Sequence, residues 1–127
     1  MQAKLFDHVG IQVRNLEASA AFYGAVLGEL GYVLCSRDET SAGFGPADEP
    51  GLWLYAASRK ASGATSATHL AFRASERGLV DRFHERGLRV GGRDHGKPGV
   101  RTDYGERYYA AFLLDPDGNN VEAVCLK

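Results

Sequence analysis

The feature that most constrains this chain is an internal repeat. His8-Val9-Gly10-Ile11-Gln12-Val13 and His69-Leu70-Ala71-Phe72-Arg73-Ala74 both read histidine, apolar, small, apolar, polar, small, and the two histidines stand 61 residues apart. The same offset carries Phe22 onto Phe83. Two copies of a unit of about 60 residues are too few to stack as a solenoid, so the repeat predicts a pair of modules in one duplicated domain. Module one is expected over 1–60, a linker over 61–66 and module two over 67–127.

Each matched segment has the period of a strand. Val9, Ile11 and Val13 alternate with His8, Gly10 and Gln12, so the apolar set faces a helix layer and the histidine faces the other way. A helix should follow each. Asn15 is a capping residue ahead of Leu16, Ala20, Tyr23, Leu27 and Leu30, and Ser75 stands in that place before Leu79, Val80 and Phe83. Gly31 and Gly87, followed by Tyr32 and Leu88, suit the helix stops. Strands are then expected at 32–36, 41–44 and 52–57, and again at 90–92, 108–114 and 120–126. Asp115-Pro116-Asp117-Gly118-Asn119 has the proline and glycine of a tight turn and should close a hairpin between the last two strands. The small, polar stretch Ala61-Ser62-Gly63-Ala64-Thr65-Ser66 is the expected linker. The order is β-α-β-β-β, twice, which makes the fold class α+β.

Composition narrows the classes of function. A net charge of −1 gives no field that draws in nucleic acid or an anionic membrane. No apolar run approaches the roughly 18–20 residues of a membrane-spanning helix, so a cytoplasmic protein is expected. Cys35 and Cys125 lie far apart without metal-ligand spacing, which favours free thiols in the interior.

DHVGIQV with NLEASAAFYGAVLGELGY near the start, THLAFRA in the middle and YYAAFLLDPDGNNVEAVC at the end resemble the glyoxalase/bleomycin-resistance/dioxygenase superfamily, also called vicinal oxygen chelate proteins. The resemblance spans nearly the whole chain and is most specific in the terminal stretch. It implies that each module forms a curved sheet with its helix outside, and that two modules enclose a cup for a metal or ligand. It also implies metal ligands on the first and last strands of each module. Carried over by position, these are His8, His69 and Glu122. The fourth position falls near Trp53, where positions 52–57 hold no carboxylate or amide.

Two imidazoles and one carboxylate form a facial triad that leaves coordination positions open, and Fe(II), Mn(II), Ni(II) or Zn(II) can accept it. A bound ion of this kind stabilises charge on an oxygen of a chelating substrate. The expected function is therefore a divalent-metal-dependent enzyme, a lyase, isomerase or extradiol dioxygenase, acting on a small oxygen-chelating metabolite. Glyoxalase I itself fits poorly, because Trp53 cannot move a proton between carbons. A thiol transferase of the fosfomycin-resistance kind is weakened by Gly10, where a threonine contacts the drug. An extradiol dioxygenase fits the triad better and needs an acid/base group such as His95 or Tyr108.

The remaining candidates have plainer alternatives. His95 sits in a glycine-rich stretch at 91–99 and reads as either a mobile acid/base or a surface group. Tyr104, Tyr108 and Tyr109 are candidates to line the cup, with one or two of them packing in the core instead. Arg101 suits a carboxylate or phosphate on a substrate. His84, among Arg82, Glu85 and Arg86, reads as a solvated helix residue. The competing function is metal-free binding of a small molecule or antibiotic, as in bleomycin-sequestering members, with Trp53 and the tyrosines as the stacking surface. A homodimer is expected from the resemblance.

Overall fold

A computed structural model describes residues 5–57 and 68–127, so the expected linker at 61–66 lies outside the described residues. Module one runs β1 (Val9–Val13), α1 (Leu16–Glu29), β2 (Val33–Arg37), β3 (Ser41–Gly45) and β4 (Leu52–Ala56). Module two repeats the order with β5 (His69–Arg73), α2 (Arg77–Arg89), β6 (Arg93–Val100), β7 (Tyr109–Leu114) and β8 (Asn120–Cys125). Each module forms a four-stranded sheet, ordered β1-β4-β3-β2 and β5-β8-β7-β6. The first and last strands of each pair in parallel, and the other pairings are antiparallel. Gly10 stands opposite Trp53 and Ala71 opposite Glu122, so Trp53 holds in module one the place that Glu122 holds in module two.

The expected alternation decides which face of each sheet is covered. Ile11 and Val13 are buried while Gly10 and Gln12 are exposed, and His69, Ala71 and Arg73 are exposed between half-buried Leu70 and Phe72. One core takes the covered side of both sheets together with both helices, including Phe22, Tyr23, Val26, Phe44, Leu54, Phe83 and Leu113. Each fully buried large side chain contributes roughly 1.5–3 kcal/mol, which makes this shared interior the main stabilising term. Phe22 and Phe83, matched by the repeat, are both completely buried.

Asn15 caps α1 as expected, its side-chain oxygen accepting the Ala18 N–H at 3.0 Å. Ser75 does not cap α2. The cap position is Glu76, whose side chain makes no capping bond. Gly31 ends α1 in the left-handed region at φ +94°, but its counterpart in module two is Gly91, at φ +98°. Gly87 lies instead inside α2, where a Cβ would stand 2.2 Å from Leu113 Cδ1 and 3.1 Å from Val26 Cγ1. Its missing side chain is what allows α2 to settle onto α1 and β7. The glycine-rich stretch at 91–99 is mostly β6, an edge strand with two register shifts, and the strand expected at 90–92 is instead the cap of α2 and the turn after it. Edge strands tolerate Pro98, because no outer neighbour needs its N–H.

The helix–strand packing also overturns the solvated reading of His84. That side chain is buried and its Nε2 meets Asp94 Oδ1 at 2.9 Å, joining α2 to β6. The bond to His84, then that from the Gly96 N–H, holds the Asp94 carboxyl below its ordinary range. The Asp115–Asn119 turn is as expected, with Gly118 at φ +85°. Its two aspartates tie the modules together. Buried Asp115 accepts the Tyr23 O–H at 2.6 Å, and Asp117 accepts the Arg14 N–H at 3.0 Å and the Ser19 O–H at 3.3 Å. Burial, then the Asp115 charge, pushes the Tyr23 phenol far up, so it stays a donor. Both cysteines are free, Cys125 buried and Cys35 half-buried. Among the described residues no helix is long and apolar enough to cross a membrane.

Candidate functional site

The open face of the second sheet gathers three of the expected side chains. Glu122 on β8 and His69 on β5 point the same way because their strands are parallel neighbours in matched register. Glu122 is only 2% exposed, and a carboxylate so desolvated needs partners. It has them on both oxygens. His69 Nε2 lies 2.8 Å from Oε1, and the Tyr108 hydroxyl donates to Oε2. Burial first, and then the Glu122 carboxylate accepting its proton, pushes the Tyr108 phenol up to about 12. Tyr108 therefore keeps its proton at neutral pH and serves as a hydrogen-bond donor.

The pair has the spacing that an ion would require. Two donors bound at ~2.1 Å on adjacent corners of an octahedron lie ~3.0 Å apart, and His69 and Glu122 stand 2.8 Å apart, bridged by one proton. An ion held by both atoms would sit off the line between them, so the half-exposed His69 ring would turn to aim its nitrogen at the ion while Glu122 keeps its place. The third expected ligand lies elsewhere. His8 is exposed just before β1, its Nδ1 2.7 Å from Asp7 Oδ1, in a separate recess of about 780 Å³ beside Phe6, Glu49 and Trp53. Among the described residues no three His, Cys, Asp or Glu side chains of one chain gather closely enough to hold a metal. The chain thus presents two donors on one open face and one on the other.

Trp53 occupies the register place of Glu122 with an indole laid over Gly43, where a Cβ would meet the ring at 2.9 Å. Tyr55 lies likewise over Gly10, with 2.6 Å to an added Cβ. The two ring planes are 11° apart with centroids at 6.3 Å, so they tile a flat floor on the first sheet. Small residues under the open face serve here to seat aromatic rings.

A recess of about 430 Å³ adjoins the His69–Glu122 pair and is lined by His95, Gly96, Arg101, Tyr104, Phe112 and Asn120 among others. His95 is therefore on a strand at this recess and not on a loose loop. Tyr104, 69% exposed, packs against Tyr108 at 5.2 Å between centroids. Tyr109 does not belong to the open face. Alternation along β7 turns it to the helix side, where its hydroxyl donates to Asp81 at 2.5 Å and the Arg77 guanidinium lies 5.0 Å from its ring. Two residues of this face, Phe112 and Asn120, escaped the sequence reading. Phe112 stands opposite Glu122 and Asn120 opposite His69, so strand parity counted from Glu122 would have found both.

Comparisons with known proteins agree with the fold. The family model described as the Glyoxalase/Bleomycin resistance protein/Dioxygenase superfamily matches residues 5–123. Among solved structures, a glyoxalase/bleomycin resistance protein from Albidiferax ferrireducens is 28% identical, with 96% of this chain and 98% of that one covered and a TM-score of 0.78. A glyoxalase-related enzyme from Fulvimarina pelagi is 18% identical over 97% of this chain and 88% of its own, at a TM-score of 0.75. A glyoxalase/bleomycin resistance protein/dioxygenase family enzyme from Burkholderia phytofirmans is 20% identical over 95% and 98%, at 0.74. None of the curated proteins compared with the chain matches it. With the family model covering nearly all of its length, the chain belongs to the glyoxalase/bleomycin resistance protein/dioxygenase superfamily.

Proposed function

We propose that this protein is a divalent-metal-dependent enzyme of its superfamily, acting on a small oxygen-chelating metabolite at a His-His-Glu site shared between two copies of the chain. The observation that carries the reading is the His69–Glu122 pair, a desolvated carboxylate and an imidazole 2.8 Å apart on an open sheet face. His8 supplies the third ligand from the other copy, when the open face of module one in one chain covers that of module two in its partner. Three features support such pairing. β1 and β5 are both sheet-edge strands, which offer unpaired backbone groups. Phe6, Tyr55, Val100 and Tyr104 are exposed apolar groups around the two open faces. The ligand set, finally, is divided between the faces as two and one.

A bound cation would act as a Lewis acid on a substrate oxygen. The chain's own residues orient it and handle protons. Tyr108 holds a proton at Glu122 Oε2 and so fixes the carboxylate's direction. His95 lines the neighbouring recess, and its imidazole is the group there that would carry a proton to or from the substrate. The single tryptophan, Trp53, faces the same cup with Tyr55 and binds the apolar part of the ligand by stacking.

Metal-stripped protein titrated with Fe(II), Mn(II), Ni(II) and Zn(II) should bind one ion per chain, and a His69→Ala variant should bind none. Equal binding by the two proteins would overturn the metalloenzyme reading. The flat Trp53–Tyr55 floor favours a second reading, metal-free capture of an aromatic compound. In that case Trp53 emission would respond to aromatic ligands alike with and without metal.

A further inference from the structure

We propose that the recess beside the His69–Glu122 pair binds the carboxylate of the substrate on Arg101 and a hydroxyl or amine donor of the same molecule on Asn120, making the substrate a small carboxylate that carries a hydrogen-bond donor. The inference rests on the reading above only in taking this face of the second sheet as the substrate's. Its grounds are local to the recess.

Arg101 is held in place without being neutralised. Its guanidinium donates to Gly99 O at 3.0 Å and Lys97 O at 2.5 Å, and lies 5.4 Å from the centre of the Phe112 ring. These partners are backbone carbonyls and an aromatic face, and no carboxylate forms an ion pair with it among the described residues. Gly96 and Gly99 make the seat, since a Cβ on either would stand 3.2 Å from a guanidinium nitrogen. A fixed guanidinium with N–H groups to spare is the side chain best suited to a carboxylate. Asp103, which also lines the recess, is exposed, where solvent screens it.

Asn120 supplies the second ground. Its Oδ1 is buried and meets no hydrogen-bond donor, and among the buried side-chain nitrogens and oxygens of the described residues it is the one so placed. An unmet buried acceptor is costly, so a structure keeps one where something else uses it. Asn120 itself lines the recess, and the terminal torsion of an asparagine is soft, so its amide can adjust to a ligand there. A hydroxyl or amine can satisfy it, whereas a carboxylate oxygen cannot. Asn120 stands opposite His69, and Phe112 lies between His69, 6.3 Å away between rings, and Arg101. A molecule anchored at Arg101 and Asn120 therefore has its remaining atoms beside the metal-ligand pair. At about 430 Å³ the recess suits a metabolite-sized ligand.

The test compares probes that differ in one group, on metal-stripped wild-type protein, with heteronuclear NMR reading affinity and place. Mandelate and malate are measured against phenylacetate and succinate, which lack the hydroxyl, and mandelate against its methyl ester. Each hydroxylated acid should bind about fivefold more tightly than its counterpart, and the ester about tenfold more weakly than the acid. Shifts should centre on the amides of Gly96, Gly99 and Asn120. In an Asn120→Ala variant the preference for the hydroxyl should vanish while the preference for acid over ester remains. If that variant does not fold, the wild-type comparisons decide by themselves. Equal binding within the pairs, an ester that binds like the acid, or no saturable binding up to about 10 mM would overturn the inference. Metal titration alongside separates the two readings. Metal lost in His69→Ala with no discrimination among acids sinks only the substrate class, and discrimination without metal binding sinks only the metal.

Discussion

Glu122 is the residue on which the proposed chemistry would turn, because one buried carboxylate serves two partners, one on each oxygen. In the free protein it accepts a hydrogen bond from Tyr108 on one oxygen and faces His69 across the other. An ion entering between His69 and Oε1 would leave the Tyr108 bond intact, and that bond would then orient a metal ligand. Tyr108→Phe should weaken metal binding about tenfold and leave the stoichiometry unchanged, as calorimetric titration would read. Glu122→Gln keeps the shape and an acceptor for Tyr108 but loses the charge, so it should abolish binding with little change in circular dichroism. Unchanged metal affinity in both variants would place the ion elsewhere. Most of this cluster could be read from the sequence. The repeat paired His8 with His69, and the family resemblance added Glu122, which the structure sets beside His69 and away from His8. Asn120 and Phe112 could not be valued in the same way, since a polar residue after a turn and an aromatic in a strand are each common without a role. Their meaning depends on Arg101 folding back across Phe112, a contact between residues on different strands.

The two helices look alike in sequence position and differ in what their glycines do. Gly31 and Gly91 are turns at positive φ, whereas Gly87 is a contact point where α2 meets Val26 and Leu113. A stop signal and a packing signal are the same letter, and only the neighbouring helix tells them apart. Gly87→Val would set two methyl groups against a fully buried Leu113, with no helix-propensity gain large enough to offset the overpacking. Stability to urea should fall by about 1–3 kcal/mol, with exposed Gly28, around which an added Cβ meets nothing within 4 Å, as the control for general glycine effects. A Gly87→Val protein as stable as wild type would mean that the helices do not pack here. The strands of module one fall within a residue or two of the expected limits, with regular alternation in β1 and partly in β4. β6 lies beyond the strand expected at 90–92 because its own sequence carries little strand pattern. Three of its eight residues are glycine or proline, and its partner β7, not its own pattern, holds it in the sheet.

At the scale of the whole molecule, the proposed reading makes the single chain a contributor of half the ligands to each of two sites. One core binds the covered faces of both sheets, which leaves the His69–Glu122 face and the His8–Trp53 face lining separate recesses. A two-fold pairing that sets one face on the other makes two identical cups, each with His8 from one copy and His69 and Glu122 from the other. Such sharing can be distinguished from a site within one chain by complementation. Co-expressed His8→Ala and His69→Ala chains, carrying different tags and purified as the mixed dimer, would have one cup with both defects and one with none. That dimer should bind half the metal of wild type, while each variant dimer alone binds none. If instead each chain closed on itself after a rearrangement of its modules, every cup of the mixed dimer would carry one defect and the dimer would bind no metal. The two arrangements have the same ligands and the same local geometry, so no single-site substitution separates them, and only the mixed dimer assigns His8 to its cup.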